Sequence, residues 1–208
     1  MKGFFQLAAL LLLMASTHAS AEGDAAAGQA KAAICAACHG ADGNSAVPNW
    51  PKLAGQHEQY LLRQSTLIKS GARPVPEMIG IVATMTETDF LDIAAFFAAQ
   101  KRTPGVADET LVAAGETLWR AGKASSGVPA CMACHGPAGE GNPLAGYPAL
   151  AGQHSVYTAN MLKRFRAGDH WGEKDAHSIV MNGVAAALTD DDINALASYI
   201  QGLYRVGE

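Results

Sequence analysis

Cys35-Ala-Ala-Cys38-His39 and Cys131-Met-Ala-Cys134-His135 decide how this chain is read. Each is a C-x-x-C-H element, the pattern of covalent c-type haem attachment. The spacing follows from the chemistry. Two thiols add across the two vinyl groups of one haem and pin the porphyrin against a short turn of helix. The histidine that follows is then held under the iron as its proximal ligand. The chain has four cysteines and the two motifs use all of them, so no thiol remains for a structural disulfide. A thioredoxin-like redox pair would sit near a βαβ pattern, which is absent from the sequence. A closed zinc site needs four ligands, usually with a second pair at short spacing. An oxidised vicinal pair suits an exported protein. None of the three explains a histidine in the same place both times.

The N-terminus reads as a secretory leader. Lys2 supplies a positive start, an apolar run covers residues 4–14, and Ala19-Ser20-Ala21 is an A-x-A cleavage site. The leader is expected to span residues 1–21 and the mature chain to begin at Glu22. The apolar run is shorter than the roughly 20 residues a membrane span needs, and no later segment has that length or continuity. The expectation is an exported chain without a transmembrane segment, with peripheral membrane association left open. A bacterial-type leader followed by haem motifs points to the periplasm.

Only 16% of residues are charged, and the formal net charge is −4. Residues 22–105 carry 7 basic and 8 acidic groups; residues 106–208 carry 7 and 11. No long basic run exists, which excludes a nucleic-acid binder. The mild asymmetry fits orientation toward a charged partner as well as it fits an ordinary surface.

The two halves are copies. Trp50-Pro51-Lys52-Leu53-Ala54-Gly55-Gln56-His57 matches Tyr147-Pro148-Ala149-Leu150-Ala151-Gly152-Gln153-His154, and Tyr60 then matches Tyr157. Met78 matches Met181, and the register holds through Thr86 and Thr189 into a final helix. The methionine follows its haem histidine by 39 residues in the first copy and 46 in the second. Lys101-Arg102-Thr103-Pro104-Gly105 reads as the linker, which places domains at 22–105 and 106–208.

The pattern is nearly all α. Asp24 caps a helix leading into the first haem motif, and residues 109–122 play that part in the second half. A helix follows each Gly-Gln-His. Thr86-x-x-Asp89 and Thr189-x-x-Asp192 are capping-box starts. Behind them run the stripes Phe90, Ile93, Ala94, Phe97 and Ile193, Leu196, Ala197, Ile200. The Gly- and Pro-rich stretches between are expected to be loops around haem. Each half is too small for a large core of its own, so the chain without haem is expected to fold poorly.

Two such modules, each followed by Pro-x-Leu-Ala-Gly-Gln and a later methionine, resemble the dihaem cytochrome c4 family over essentially the whole mature chain. The resemblance implies an all-α fold of two tandem class I cytochrome c domains, each wrapped around one covalently bound haem c. It also implies that the haems lie near a shared interface, propionate edges toward each other.

The sixth ligand separates carrier from enzyme, because a thioether closes the iron and raises its potential. Met78 and Met85 are the first-half candidates. Met78 pairs with Met181 in the repeat whereas Met85 pairs with Leu188, so Met85 reads as core. The iron ligands are therefore expected to be His39 with Met78 and His135 with Met181, and the resemblance implies the same positions. His57 and His154 recur too and are rival ligands, but at expected helix starts they read as surface or capping groups. His170 and His177 have no first-half counterpart and read as incidental, and Met132 is given no role. The resemblance further implies that the Pro51 and Pro148 carbonyls accept the histidine Nδ1–H, a bond that fixes ring orientation and basicity. Trp50 and Tyr147 are expected near the haems.

The sequence shows no catalytic triad or paired acid–base constellation, and the favoured reading is a non-enzymatic carrier of single electrons. The resemblance implies receipt from a cytochrome bc complex and donation to a terminal haem–copper oxidase. Three alternatives stay open: a dihaem enzyme such as a peroxidase or thiosulfate-oxidising enzyme, an electron-accepting subunit of a periplasmic dehydrogenase, and a haem-storage role.

Overall fold

The computed structural model describes residues 23–204, so the expected leader lies outside the described residues. Among these residues no β-strand forms, and helices account for the regular structure. The first half contributes α1 (Ala25–Lys31), α2 (Ala36–His39), α3 (Glu58–Lys69), α4 (Pro76–Val82) and α5 (Glu87–Ala98). The second repeats the series as α6 (Glu109–Ala121), α7 (Met132–His135), α8 (Ser155–Arg166), α9 (Ala176–Ala185) and α10 (Asp190–Gly202).

Local chemistry sets most helix starts. Asp24 accepts bonds from the Ala26 and Ala27 N–H groups, and Asp108 accepts from Thr110 N–H. Thr86 and Thr189 both complete capping boxes, with Asp89 and Asp192 returning the bond. Two stretches expected to be loops are short helices instead. Pro76 stands in the first turn of α4, where a missing N–H costs nothing, and the Asp175 carboxylate caps α9 by accepting from Ser178 N–H. These two helices carry Met78 and Met181.

In each half the first helix crosses the last. The crossing is close because a glycine lies in it: a Cβ on Gly28 would stand 1.9 Å from the Asp92 carbonyl oxygen, and one on Gly115 2.5 Å from that of Ala195. α3 and α8 then pack on α5 and α10. The second-half core gathers Leu118, Trp119, Phe165, Ile193 and Leu196, and Leu67 from α3 packs against it from the first half. First-half apolar residues fall into two clusters, one around Leu61 and Phe97 and one around Ile68, Val82 and Phe90. Residues 101–108 have no secondary structure, yet they do not hang as a tether. Arg102 donates from Nε to the Ala54 carbonyl (2.7 Å) and from Nη1 to those of Ala149 (3.2 Å) and Ala151 (3.1 Å), bracing both halves at once. Burial pushes its guanidinium down to about 10, and it remains charged at neutral pH.

Lys31 of α1 reaches Asp89 (2.8 Å) and Asp92 (2.6 Å) of α5. The ammonium holds both carboxyls below the usual carboxylate range. A depressed carboxyl contributes stability that is complete above its unfolded value, about 4, and is lost as pH falls toward the folded value. Lys31→Met is expected to lower the first half's stability near pH 7, where this contribution is complete, and to matter progressively less as the pH falls, so the acid limb of the curve flattens. Thermal melts read from pH 7 down to pH 3 (~4 pH units around the carboxylate range) check this.

Candidate functional site

One continuous apolar cavity runs through both halves and is lined by both haem motifs. It joins what the cores leave apart, since residues of both first-half clusters line it, among them Leu61, Phe97, Val82 and Phe90. α2 and α7 are single helical turns made of the haem motifs themselves, so each cysteine pair and its histidine share one turn. Cys35, His39, Cys131, Cys134 and His135 line the cavity.

His39 Nδ1 lies 2.9 Å from the Pro51 carbonyl oxygen, and His135 Nδ1 lies 3.0 Å from that of Pro148. A carbonyl only accepts, so Nδ1 carries the proton and the lone pair resides on Nε2. Burial pushes both imidazoles below their ordinary value, against the raising effect of the proline bonds. Each ring is therefore neutral at pH 7, the form that ligates a metal. Burial also pushes the Cys35 thiol up, and that of Cys131 up to about 11. A redox C-x-x-C pair has the opposite shift, so the thiols do not fit the thioredoxin-like alternative.

Met78 and Met181 both line the cavity, each partly buried against its own half's apolar cluster. Met85 lines it too and packs on the same cluster as Met78, whereas its repeat partner Leu188 is buried core.

The structure revises several readings of the other residues. His57 and His154 stand at the N-caps of α3 and α8, but their side chains make no capping bond there. Each donates from Nε2 across the molecule: His57 to the Glu140 carbonyl (2.9 Å), His154 to the Ser45 carbonyl (2.8 Å). Neither lines the cavity, and each Nε2 is engaged by a carbonyl of the other half. His177 is not incidental. It lines the cavity, donates from Nε2 to the Ala145 carbonyl (2.9 Å) and packs edge-on against Tyr147 with ring centroids 6.0 Å apart. Tyr147 lines the cavity and lies 6.0 Å from the His135 ring; Trp50 does not line it. Met132 packs against the second-half core.

Sequence reading missed a cationic group at the junction of the halves. Arg73 is buried, donates to Gln64 (2.8 Å) and to the Tyr157 hydroxyl (3.0 Å), and lies over the Trp171 ring at 4.6 Å. Arg63 pairs with Asp175 at 3.0 Å. Burial, with Tyr157 next to it, pushes the Tyr60 hydroxyl up to about 12. Neither arginine recurs: Arg63 aligns with Asn160, and Arg73 falls where the copies differ in length. A search for repeated residues passes over both.

The residues fit haem. The apolar walls suit the porphyrin, and the turns present thiols and a neutral imidazole. Arg63 Nε, Arg73 Nε, Gln64 Nε2 and Trp171 Nε1 are buried donors without a hydrogen-bond partner, all on residues lining the cavity. Such donors are costly unless met by an acceptor, and haem brings carboxylates.

Comparison with known proteins agrees. The cytochrome c family model matches residues 25–99 and 112–204. Cytochrome c4 of Pseudomonas aeruginosa is 53% identical over 199 residues, covering 95% of this chain and 98% of its own. The crystal structure of reduced recombinant cytochrome c4 from Pseudomonas stutzeri matches with a TM-score of 0.83 at 51% identity, covering 88% of this chain and 100% of that one. A thiosulfate dehydrogenase electron acceptor of Stutzerimonas stutzeri is 35% identical over 199 residues, covering 93% of this chain and 90% of its own. Fold and site thus define a tandem cytochrome c with two covalently bound haem c groups. The chain belongs to the cytochrome c4 family of dihaem electron-transfer proteins.

Replacing Cys131 and Cys134 together by serine is expected to halve the haem content per chain, measured as the pyridine haemochrome, and to leave the first haem attached.

Proposed function

We propose that this chain is a periplasmic carrier, not an enzyme, that takes single electrons from a cytochrome bc complex and passes them to a terminal haem–copper oxidase. The mature protein starts at residue 22, with domains at 22–105 and 106–208. Cys35 and Cys38 bind one haem and Cys131 and Cys134 the other. His39 with Met78, and His135 with Met181, would hold the two haem irons. One observation carries this reading: in both halves a neutral, proline-anchored histidine and a methionine on a separate short helix line one cavity.

When bound, each haem supplies an iron that accepts and returns one electron. The residues do the rest. The Pro51 and Pro148 carbonyls hold the imidazoles against rotation, which would keep the ligand to each iron in one orientation. The Met78 and Met181 thioethers would hold the irons opposite the histidines and keep small molecules from them. The apolar walls exclude water, which lowers the solvent rearrangement accompanying each transfer. Arg73, buried, and Arg63, half-buried, offer positive charge at the junction that would favour haem carboxylates and added electrons there.

A second reading has one specific support. The 35% identical relative bears the name thiosulfate dehydrogenase electron acceptor, so the electron donor to this chain would be a dehydrogenase. Stopped-flow reduction separates the two readings. Rapid, salt-sensitive reduction by a purified bc complex, followed by oxidation on oxidase-containing membranes, is the expected result. Rapid reduction by thiosulfate dehydrogenase with slow reduction by the bc complex replaces the first reading with the second.

The ligand assignment has its own test. Met78→Ala is expected to retain both haems, lose one of the two methionine-to-ferric-iron absorption bands, and bind carbon monoxide at one iron; Met181→Ala is expected to do the same at the other. Carbon monoxide binding by the unaltered protein would instead indicate an open iron and an enzyme.

A further inference from the structure

The two glutamines of the repeated Gly-Gln-His segment are buried and reach across the molecule. Gln56 Oε1 accepts from Ala149 N–H (2.9 Å), and its Nε2 donates to the Ala149 carbonyl (2.9 Å). Gln153 Oε1 accepts from Lys52 N–H (2.8 Å), and its Nε2 donates to the Lys52 carbonyl (3.0 Å). Each side-chain amide thus grips one backbone residue of the opposite half at two points. The gripped residues are not arbitrary. Ala149 follows Pro148 and Lys52 follows Pro51, the prolines whose carbonyls hold the haem-motif histidines.

Ala149 N–H and the Pro148 carbonyl are opposite ends of a single planar peptide group. An acceptor on that N–H polarises the whole group and makes its oxygen a stronger acceptor, the cooperative effect of chained hydrogen bonds. The chain runs Gln56 Oε1, the Ala149–Pro148 peptide, His135 Nδ1–H. Its twin runs Gln153 Oε1, the Lys52–Pro51 peptide, His39 Nδ1–H.

We propose that Gln56 and Gln153 are crossed positioning residues, each setting the hydrogen bond, and so the orientation and basicity, of the haem-motif histidine in the other half. The domains then tune each other's haem through one peptide group apiece, and docking of the halves is part of each redox site. This rests on the axial-ligand assignment proposed above insofar as it concerns redox potential; the effect on the histidine proton does not.

The test uses the full dihaem protein and proton NMR of the reduced state, with potentials resolved per haem. Gln56→Met keeps the side chain's length and removes both polar atoms. The expected result is an upfield shift and severalfold faster solvent exchange of the His135 Nδ1 proton, with the His39 proton unmoved, and a raised potential for the second haem alone. Gln153→Met mirrors it at His39 and the first haem. Gln56→Glu is the second variant and reads in the opposite direction: a carboxylate accepts more strongly, so the His135 proton moves downfield. It carries the test if the methionine variant does not hold its fold. Changes confined to the glutamine's own half, equal changes at both histidines, or no change at either would overturn the proposal. Hyperfine shifts of the two imidazoles in the oxidised unaltered protein report separately whether His39 and His135 bind iron, so a failed ligand assignment is distinguishable from a failed relay.

Discussion

Each half is organised around one hydrogen bond, from a haem-motif histidine to a proline carbonyl. An imidazole has two nitrogens, and only the one without a proton ligates a metal. By taking the proton at Nδ1, Pro51 and Pro148 leave the lone pair on Nε2. Burial then keeps the ring neutral. The helical turn places the cysteines beside that ring, and the glycine-lubricated crossing of first and last helices closes the half around it. What remains is an apolar cavity continuous with that of the other half, and in the first half it lies between the two core clusters, whose residues line it.

The contact between halves is built on a different principle. Its apolar part is modest, with Leu67 packing on the opposite core. Its polar part is extensive and directional: Gln56, Gln153, His57 and His154 all address backbone groups of the other half, and Arg102 addresses both. Buried polar groups satisfied in pairs tolerate little displacement, since an orphaned amide costs on the order of 1–3 kcal/mol. An interface of this kind specifies one relative placement of the domains. A carrier with two redox centres needs that, because transfer between them depends steeply on their separation.

The junction also gathers charge. Arg63 and Arg73 bring two guanidiniums into a region otherwise walled by Tyr60, Tyr157 and Trp171. Both come from the first half, so the two nearly symmetric domains meet across an asymmetric set of cations.

The sequence by itself determined what depends on short range. C-x-x-C-H spacing dictated the cofactor, Thr-x-x-Asp dictated two helix starts, and the repeat singled out Met78 and Met181 without any coordinates. The repeat also exposed Gly-Gln-His, but a recurrence within each copy says nothing about contacts between copies, so His57 and His154 read as caps. Only the folded chain shows that this segment reaches over to the other half. Short α4 and α9 escaped because seven to ten residues give too little periodicity to distinguish from loop. Arg63 and Arg73 escaped because they occur once and acquire meaning only where two halves close around them. Tertiary structure decided the contacts between halves for one reason: their partners lie 83 to 109 residues apart along the chain, and no local rule spans that distance.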